Sequence, residues 1–398
     1  MQKAMVVDGV QIAKRHQTMK EITYGELCSL PEGSYLLIDI RDEGLTSYGM
    51  IPGAVNIYID DLERSDILAG IAEDKKLIFY CEIGRRSREI DDTAPYLKDR
   101  DCYSLTDGYV GYVRASVSSD SDREQKQKKA EESIQKKFHK QLFSPFAKAC
   151  KTYGLIKEGD HIAVCISGGK DSMLMAKLFQ EIKRHRQVDF DLTFLVMDPG
   201  YNKANRELIE SNARALGIPI TIFESTIFDT VDTVDKNPCY LCARMRRGYL
   251  YSKAKELGCN KIALGHHYDD VIETILMGML HGAQIQTMMP KLHSTNFEGM
   301  ELIRPLYLVR EADICAWRDY NDLHFLQCAC HFTDTCTTCH EDGTTSSKRL
   351  ETKKLIAELK KTNPYIESNI FKSVENVNLD TVIEYKKDGV RHNFMDEY

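Results

Sequence analysis

The stretch IAVCISGGKDS, residues 162–172, decides the fold of the larger part of this chain. Its apolar half predicts a buried strand, and its polar half predicts the start of a helix. The two adjacent glycines let the backbone approach an anion, and the loop N–H groups and helix N-terminus favour negative charge. Ser167–Ser172 therefore predicts a phosphate-binding loop with Lys170 as its cation, although it lacks the GxxxxGK[ST] spacing of a Walker A loop. A glycine-rich turn with a solvated lysine is the alternative.

Strand-like and helix-like stretches alternate after this loop. Strands that alternate with helices of this length predict a doubly wound parallel sheet, and so an α/β fold. The stretches are, in chain order, a helix from Ser172, a strand over 193–198, a helix over Asn202–Leu216, strands over 218–223 and 261–266, and a helix over Asp270–Leu280.

A smaller α/β domain is predicted before it, from β-rich runs at 36–40 and 75–81 and a helix from Ser87 toward Leu97. The next stretch is polar and contains neither glycine nor proline, and we interpret it as a linker helix. Its apolar residues Ile134, Phe138, Leu142 and Phe146 recur at i+4 spacing and predict a face that docks on the next domain. The expected domains are 1–117, the linker helix 118–141, the larger domain 142–385 with a cysteine-rich insert at 328–345, and a tail at 386–398.

The composition is that of a globular protein of the cytosol. The 398 residues allow two or three domains of about 150 residues. No apolar run reaches the ~18 residues that span a bilayer, and Met1–Lys20 lacks the apolar region of a signal peptide. The chain is therefore expected to be cytoplasmic, without membrane contact. Its 13 cysteines predict catalytic or metal-binding thiols, because the cytosol keeps thiols reduced.

The net charge of −7 does not attract nucleic acid, so contacts with RNA are expected from local basic stretches. Three stretches qualify, namely Lys126–Lys140, Arg244–Arg247 and Lys348–Lys361. Solvated helix faces are the alternative for each of them.

A candidate sulfur-carrying cysteine lies at the end of the predicted strand 75–81. Cys81 opens the loop CEIGRR, which ends at Arg86 before the helix from Ser87. Loop N–H groups, a helix N-terminus and arginines all favour a thiolate or a bound persulfide anion. A buried structural cysteine is the alternative.

Further cysteines suggest a metal site. Cys239 and Cys242 are separated by two residues, and Cys328, Cys330, Cys336 and Cys339 crowd into one later stretch. Two thiolates at this spacing can hold a soft metal that a distant third thiolate completes. A redox pair and buried structural thiols remain open.

The string SGGKDS resembles the signature of the PP-loop ATP pyrophosphatases. It is followed by Cys239-x-x-Cys242, by GHHYDD at 265–270 and by Arg304-Pro305-Leu306 with Arg310-Glu311, the order seen in the tRNA 2-thiocytidine synthetase family. The similarity spans Phe143–Val377. It implies ATP with Mg²⁺, which Asp171 would help to hold. The implied nucleotide site comprises Ser167, Gly168, Gly169, Lys170, Asp171, Ser172, Asp198, His266 and Asp270. For the GHHYDD string, a strand-to-helix turn with an aspartate cap is the alternative.

The same resemblance implies a [4Fe-4S] cluster on Cys239, Cys242 and Cys328, with one iron left open to hold sulfide. The family usually has a CxxC around its third ligand, whereas this chain has Cys328-Ala-Cys330. The choice between these two is open, and we favour Cys328. Cys336 and Cys339, with nearby histidines, predict either a separate Zn²⁺ site or a loop of redox-active thiols.

Residues Ile22–Val113 resemble a rhodanese domain. Besides the Cys81 loop they contain Asp39-Ile-Arg41, IPGAVNI at 51–57 and Asp107-Gly108-Tyr109. The resemblance implies that Cys81 carries sulfur and that Arg86 supports it. Glu82 replaces an arginine common in members that use thiosulfate, so the expected donor is a protein persulfide, as on a cysteine desulfurase.

Both resemblances together imply an enzyme. It would adenylate an anticodon-loop cytidine of tRNA and replace the C2 oxygen with sulfur. The alternatives are 2-thiouridine synthesis, a sulfurtransferase for small molecules, and an iron-sulfur sensor without turnover. A homodimer is left open.

Overall fold

The computed structural model of the chain describes residues 19–46, 49–64, 68, 70, 72, 74–90, 95–97, 100–115, 120–201, 203–225, 238–325, 348–396 and 398. The chain divides into two units. Unit 1 is Met1–Ser118 with Lys203–Leu208, and unit 2 is Ser119–Asn202 with Ile209–Tyr398. No helix among the described residues is long and apolar enough to cross a membrane.

Unit 1 contains a five-stranded sheet in the order β1-β5-β4-β2-β3, and all its strand pairs are parallel. Its strands are β1 (Lys20–Ile22), β2 (Tyr35–Asp39), β3 (Val55–Asn56), β4 (Lys76–Tyr80) and β5 (Cys102–Leu105). Its helices are α1 (Tyr24–Cys28), α2 (Glu43–Thr46), α3 (Arg85–Arg88) and α4 (Gly108–Ala115), with a 3₁₀ helix at Ile59–Arg64. Apolar residues of the central strands, such as Ile38 and Phe79, form the core.

The helix predicted from Ser87 toward Leu97 differs from the structure. Helix α3 begins two residues earlier, at Arg85, directly after Gly84. The left-handed backbone of Gly84, with φ at +78°, turns the chain sharply enough to start the helix there. The helix ends at Arg88, and residues 95–97 form a turn.

Unit 2 is built on a six-stranded sheet in the order β10-β11-β9-β6-β7-β8. Its strands are β6 (Asp160–Ile166), β7 (Phe190–Asp198), β8 (Ile220–Glu224), β9 (Lys261–Ala263), β10 (Lys291–His293) and β11 (Glu301–Ile303). The β10–β11 pair is antiparallel and the remaining pairs are parallel. The predicted α/β fold with a doubly wound parallel sheet is confirmed.

The helices of unit 2 include those predicted after the phosphate loop. They are α5 (Asp120–Gln135), α6 (Ser144–Thr152), α7 (Lys170–Arg184), α8 (Lys203–Ala215), α9 (Pro238–Glu256), α10 (Tyr268–Gly282), α11 (Glu311–Tyr320), α12 (Lys348–Thr362) and α13 (Ile366–Ser373). A π-helical turn at His139–Phe143 leads into α6.

The stretch predicted as a linker helix is a packed part of unit 2. The helix ends at Gln135, and the four predicted docking residues Ile134, Phe138, Leu142 and Phe146 are all buried. Glu131 accepts from the ammonium of Lys177 at 2.7 Å, and the Lys177 side chain is only 1% exposed. A buried cation requires such a partner, so α5 supports the fold of this unit. Most of the polar residues that suggested a linker lie on the exposed face of this helix.

The predicted tail is also structured. Strands β12 (Glu384–Lys387) and β13 (Val390–Asn393) form an antiparallel hairpin, so the expected boundary at residue 385 falls inside β12. Short 3₁₀ helices, Leu379–Thr381 and Phe394–Asp396, flank it.

Candidate active site

The candidate site of unit 2 lies where the strand order of its sheet reverses. Strands β6 and β9 are neighbours, but the chain proceeds from β6 toward one sheet edge and from β9 toward the other. In open parallel sheets, ligands bind at the carboxyl ends of the strands at this reversal point. A cavity of about 410 Å³ opens there, a size typical of small-molecule sites. It is lined by Cys165, Ile166, Ser167, Asp171, Ser172, Met197, Tyr201, Arg246, Arg247, Leu250, Leu264, Gly265, His266 and Asp270.

The loop after β6 is closed by the side chain of Ser172. Its hydroxyl accepts from the N–H of Ser167 at 3.2 Å and donates to the carbonyl of Gly169 at 2.9 Å. Gly168 has φ at +87°, and Gly169 is the N-cap of α7. A Cβ atom on Gly265 would lie 3.2 Å from the nitrogen of Ser172, so the chain after β9 packs tightly on this loop. The loop therefore presents backbone and a helix N-terminus to the cavity, as an anion site requires.

Lys170 does not project freely into the cavity. Its side chain is buried, and its ammonium lies 3.1 Å from Glu311 Oε1 and 3.2 Å from Asp171. Burial raises the pKa of Glu311, but the charges of Lys170, Lys353 and His267 outweigh burial and bring it to about 2. The predicted phosphate cation is thus already held in place by a carboxylate partner.

Asp171 lines the cavity, and one of its oxygens accepts no hydrogen bond among the described residues. Lys170 donates to its Oδ2 at 3.2 Å, and the same ammonium lies 3.2 Å from the buried Oδ1 as an ion pair without hydrogen-bond geometry. Nε2 of His267 lies 4.0 Å from that oxygen. A carboxylate oxygen in this state is the kind of ligand that a hard divalent cation prefers.

The residues after β9 form the start of α10. His267 is its N-cap: its N–H donates to Asp270 Oδ2 at 3.0 Å, and its Nδ1 accepts from the N–H of Asp270. Asp270 thus takes part in the helix cap, as the alternative interpretation of the GHHYDD string predicted. It also lines the cavity. His266 lines the cavity too. Burial and the charge of Arg304 lower its pKa to about 4, so its imidazole is neutral at pH 7.

Asp198 lies at the end of β7 but does not line the cavity. Its Oδ1 accepts from the N–H groups of Gly200 and Tyr201 at 2.9 and 2.7 Å. It therefore orders the turn that brings Tyr201 to the cavity wall.

A basic wall was not predicted for this site. Arg246 and Arg247 of α9 line the cavity, and the buried Arg304 lies near them. Burial and the charge of Arg247 lower the pKa of Arg304 to about 10. Cys165 also lines the cavity, but burial raises the pKa of its thiol to about 12, so it remains protonated. The cavity thus combines a phosphate-type loop, a carboxylate oxygen and several cations, which suits a nucleotide.

Two family models match this chain. The model of the PP-loop domain family matches residues 130–330, and the rhodanese-like domain model matches residues 27–115. The chain is 33% identical over 242 residues to the tRNA-cytidine(32) 2-sulfurtransferase of Geobacter sulfurreducens, covering 60% of this chain and 90% of that one. This chain belongs to the tRNA-cytidine(32) 2-sulfurtransferase family. The predicted family and the prediction of an enzyme are both confirmed.

Two further matches were found. A tRNA-cytidine(32) 2-sulfurtransferase of Syntrophotalea carbinolica is 34% identical over 234 residues, covering 58% of this chain and 86% of that one. The solved U34-tRNA thiolase NcsA from Methanococcus maripaludis with its [4Fe-4S] cluster is 22% identical, with a TM-score of 0.46, covering 58% of this chain and 76% of that one.

Three cysteines of this chain are predicted to hold a cluster, and two of them, Cys239 and Cys242, lie among the described residues. Cys239 and Cys242 are the second and fifth residues of α9. Cys242 precedes the cavity-lining Arg246 by one helical turn. Cys328, Cys330, Cys336 and Cys339 lie outside the described residues.

In the rhodanese-like domain of this chain, Cys81 directly follows β4. The thiol is only 3% exposed and is not in a disulfide. The hydroxyl of Ser87 donates to its Sγ at 3.8 Å, and the N–H of Tyr109 donates to its carbonyl at 3.0 Å. This hydrogen bond from the first turn of α4 therefore holds the main chain at Cys81 in place.

The side chains of Arg86 and Glu82 differ in their contacts and in their exposure to solvent. The Arg86 side chain is exposed. Glu82 instead accepts from Arg41 at 2.7 Å, and Arg41 also pairs with Asp39 at 2.7 Å and lies 4.1 Å from the ring centre of Tyr109. The Asp39-Ile-Arg41 motif thus anchors the residue next to Cys81, a function that its sequence position did not reveal.

Gly108→Ala is expected to destabilise unit 1 by about 3 kcal/mol. Gly108 has φ at +54°, and a Cβ there would overlap the carbonyl oxygen of Cys81 and lie 2.9 Å from that of Glu82. Gly53→Ala is the matched control, since Gly53 also has positive φ but no heavy atom within 4 Å of a Cβ, and should cost about 1 kcal/mol. Urea unfolding measures both, and equal losses would contradict the close approach.

Proposed function

We propose that this chain is an ATP-dependent tRNA sulfurtransferase that makes 2-thiocytidine. The observation that carries the proposal is the cavity at the strand-order reversal, which has the SGGKDS loop on one wall and helix α9 on another. The wall from α9 continues directly from the Cys239–Cys242 turn. This supports a site shared by a nucleotide-activating loop and the Cys239–Cys242 pair, in a chain whose relatives are named tRNA-cytidine(32) 2-sulfurtransferases.

Replacement of a carbonyl oxygen by sulfur needs a better leaving group than oxide. In the proposed reaction the C2 oxygen of cytidine attacks the α-phosphate of ATP, and pyrophosphate leaves. Sulfide then attacks C2, the C–O bond breaks, and AMP leaves with the oxygen. The backbone of Gly168 and Gly169, at the start of α7, would bind the phosphates. Arg246 and Arg247, which line the cavity, would balance their negative charge.

The acidic side chains of the site fit a magnesium ion at Asp171. Its Oδ1 lacks a donor, whereas the oxygens of Asp270 are engaged by the N–H of His267 and by Arg349. Bound Mg²⁺ would neutralise the leaving pyrophosphate. Asp270 and His266 would then border the nucleotide rather than hold the metal.

The thiols of the site fit a soft iron centre by their chemistry. Cys239 and Cys242 lie in one helical turn, and Cys328 would be the third ligand. A [4Fe-4S] cluster held by three cysteines would supply an iron with room for sulfide. Zn²⁺ at Cys336 and Cys339 stays a prediction from the sequence, as do the homodimer and the cytosolic location.

Cys81 would carry the sulfur as a persulfide from a donor such as a cysteine desulfurase. Its buried position protects a persulfide from solvent, and the first turn of α4 keeps the loop fixed. Release of sulfide from a persulfide takes two electrons, so the reaction also needs a thiol reductant.

Mass spectrometry of tRNA nucleosides tests this function. The full chain, reconstituted anaerobically with iron and sulfide, is incubated with tRNA, ATP, Mg²⁺, a thiol reductant and a persulfide donor. We expect 2-thiocytidine, and AMP and pyrophosphate in equal amounts. Cys81→Ala should lose the product with the persulfide donor and regain it with free sulfide.

Two other products would change the conclusion. The appearance of 2-thiouridine would keep the reaction but assign another base. No thionucleoside from a protein with an intact cluster would contradict the proposal and favour a small-molecule substrate or a sensor.

A further inference from the structure

Helix α12 reaches the ATP cavity from a part of the chain beyond the PP-loop family model. That model ends at residue 330, and α12 begins at Lys348. Nη1 of Arg349 lies 2.5 Å from Asp270 Oδ1 and 3.3 Å from Glu273 Oε2. One guanidinium thus bridges two carboxylates that are one turn apart on α10.

A second cation of α12 contacts the same site one turn later. Lys353 lies 2.6 Å from Glu311 Oε2, and the other oxygen of that carboxylate lies 3.1 Å from Lys170. The side chains of Arg349 and Lys353 therefore both contact acidic groups that surround the phosphate loop. One of these groups, Asp270, lines the cavity itself.

The bridge joins a buried carboxylate to a half-exposed cation. The Arg349 side chain is 41% exposed, whereas that of Glu273 is 6% exposed, and burial raises the pKa of Glu273 to about 7 although the charge of Arg349 opposes this. Ile356 of α12 packs in one apolar cluster with Ile272 and Ile275 of α10. The apolar contact brings the two helices together, and the Arg349 bridge sets the side-chain geometry of α10.

We propose that Arg349 is a positioning residue for the ATP reaction. It holds the carboxylate of Asp270 against the cavity wall, and Asp270 in turn fixes His267 through the helix cap. The inference rests on the proposed function, because it assumes that the cavity binds ATP. It makes helix α12 a required part of the ATP site.

The test compares Arg349→Gln, Arg349→Lys and Lys372→Gln in the full chain. Lys372 is the control, because it is an exposed cation on α13 and lies outside the basic stretches expected to contact RNA. Calorimetry with α,β-methylene-ATP measures binding, and tRNA-dependent pyrophosphate release measures kcat and KM. We expect Arg349→Gln to bind the analogue about 10-fold more weakly and to lower kcat about 100-fold, since misplacement by 1 Å costs that much. Arg349→Lys should be intermediate, and Lys372→Gln should match the wild type.

The outcomes separate a positioning role from a structural one. A folded Arg349→Gln with a lower melting midpoint but wild-type affinity and kcat would overturn the proposal. If that variant does not fold, Arg349→Lys decides: affinity at least about 5-fold weaker supports the proposal, because the lysine side chain is shorter and places its ammonium about 1 Å short of the Nη1 position, and wild-type affinity overturns it. If the wild type releases no pyrophosphate with tRNA, the proposed function fails, while analogue binding still decides the role of Arg349.

Discussion

Asp171→Asn is expected to lower tRNA-dependent pyrophosphate release by about 10²- to 10³-fold. Asp171 lines the cavity of unit 2, and its Oδ1 accepts no hydrogen bond among the described residues, although the Lys170 ammonium lies 3.2 Å away. Asparagine keeps the shape of the side chain but removes the charge that would hold Mg²⁺ on the pyrophosphate. The loss should appear in kcat, because charge develops on the leaving group as the reaction proceeds.

A steady-state assay of pyrophosphate release over a range of Mg²⁺ concentrations measures this effect. Asp189→Asn is the control, because Asp189 is an exposed carboxylate in the same unit, after α7. The melting midpoint of Asp171→Asn should stay close to that of the wild type. A wild-type kcat for Asp171→Asn at saturating Mg²⁺ would contradict the assignment of this carboxylate.

Local patterns predicted the parts of the fold that depend on neighbouring residues. The apolar run before SGGKDS predicted β6, and the alternation after it predicted β7, β8, β9 and the helices α7, α8 and α10. Most of these elements are long or strongly periodic, so a short window of sequence contains their signal. The three-residue strand β9 was predicted from the longer apolar stretch at 261–266, whereas the three-residue strands β10 and β11 were missed.

Long-range contacts account for most of what the sequence did not predict in the site. Lys170 was expected to face a phosphate, but Glu311, 141 positions later, accepts from its ammonium. Arg349 lies 79 positions after Asp270. Such pairs have no spacing rule, because the fold alone brings them together. The basic residues of α9 were noted as an RNA stretch, whereas Arg246 and Arg247 line the cavity.

Cys239→Ala is expected to abolish 2-thiocytidine formation while leaving tRNA-dependent pyrophosphate release within about 3-fold of the wild type. Loss of partners that merely orient metal ligands costs 10- to 100-fold, so the loss of a ligand should cost more than about 100-fold. The two half-reactions can separate because the phosphates would bind at the loop after β6, whereas Cys239 lies at the start of α9.

Nucleoside mass spectrometry, the visible absorption of the cluster and pyrophosphate release are measured on the same preparation. Cys28→Ala, at an exposed cysteine of unit 1, is the control and should keep all three. A Cys239→Ala protein that retains the cluster absorption and makes 2-thiocytidine would contradict the proposed ligand set. Loss of pyrophosphate release together with thiolation would instead mean that the start of α9 also builds the ATP wall, because Arg246 and Arg247 follow on the same helix.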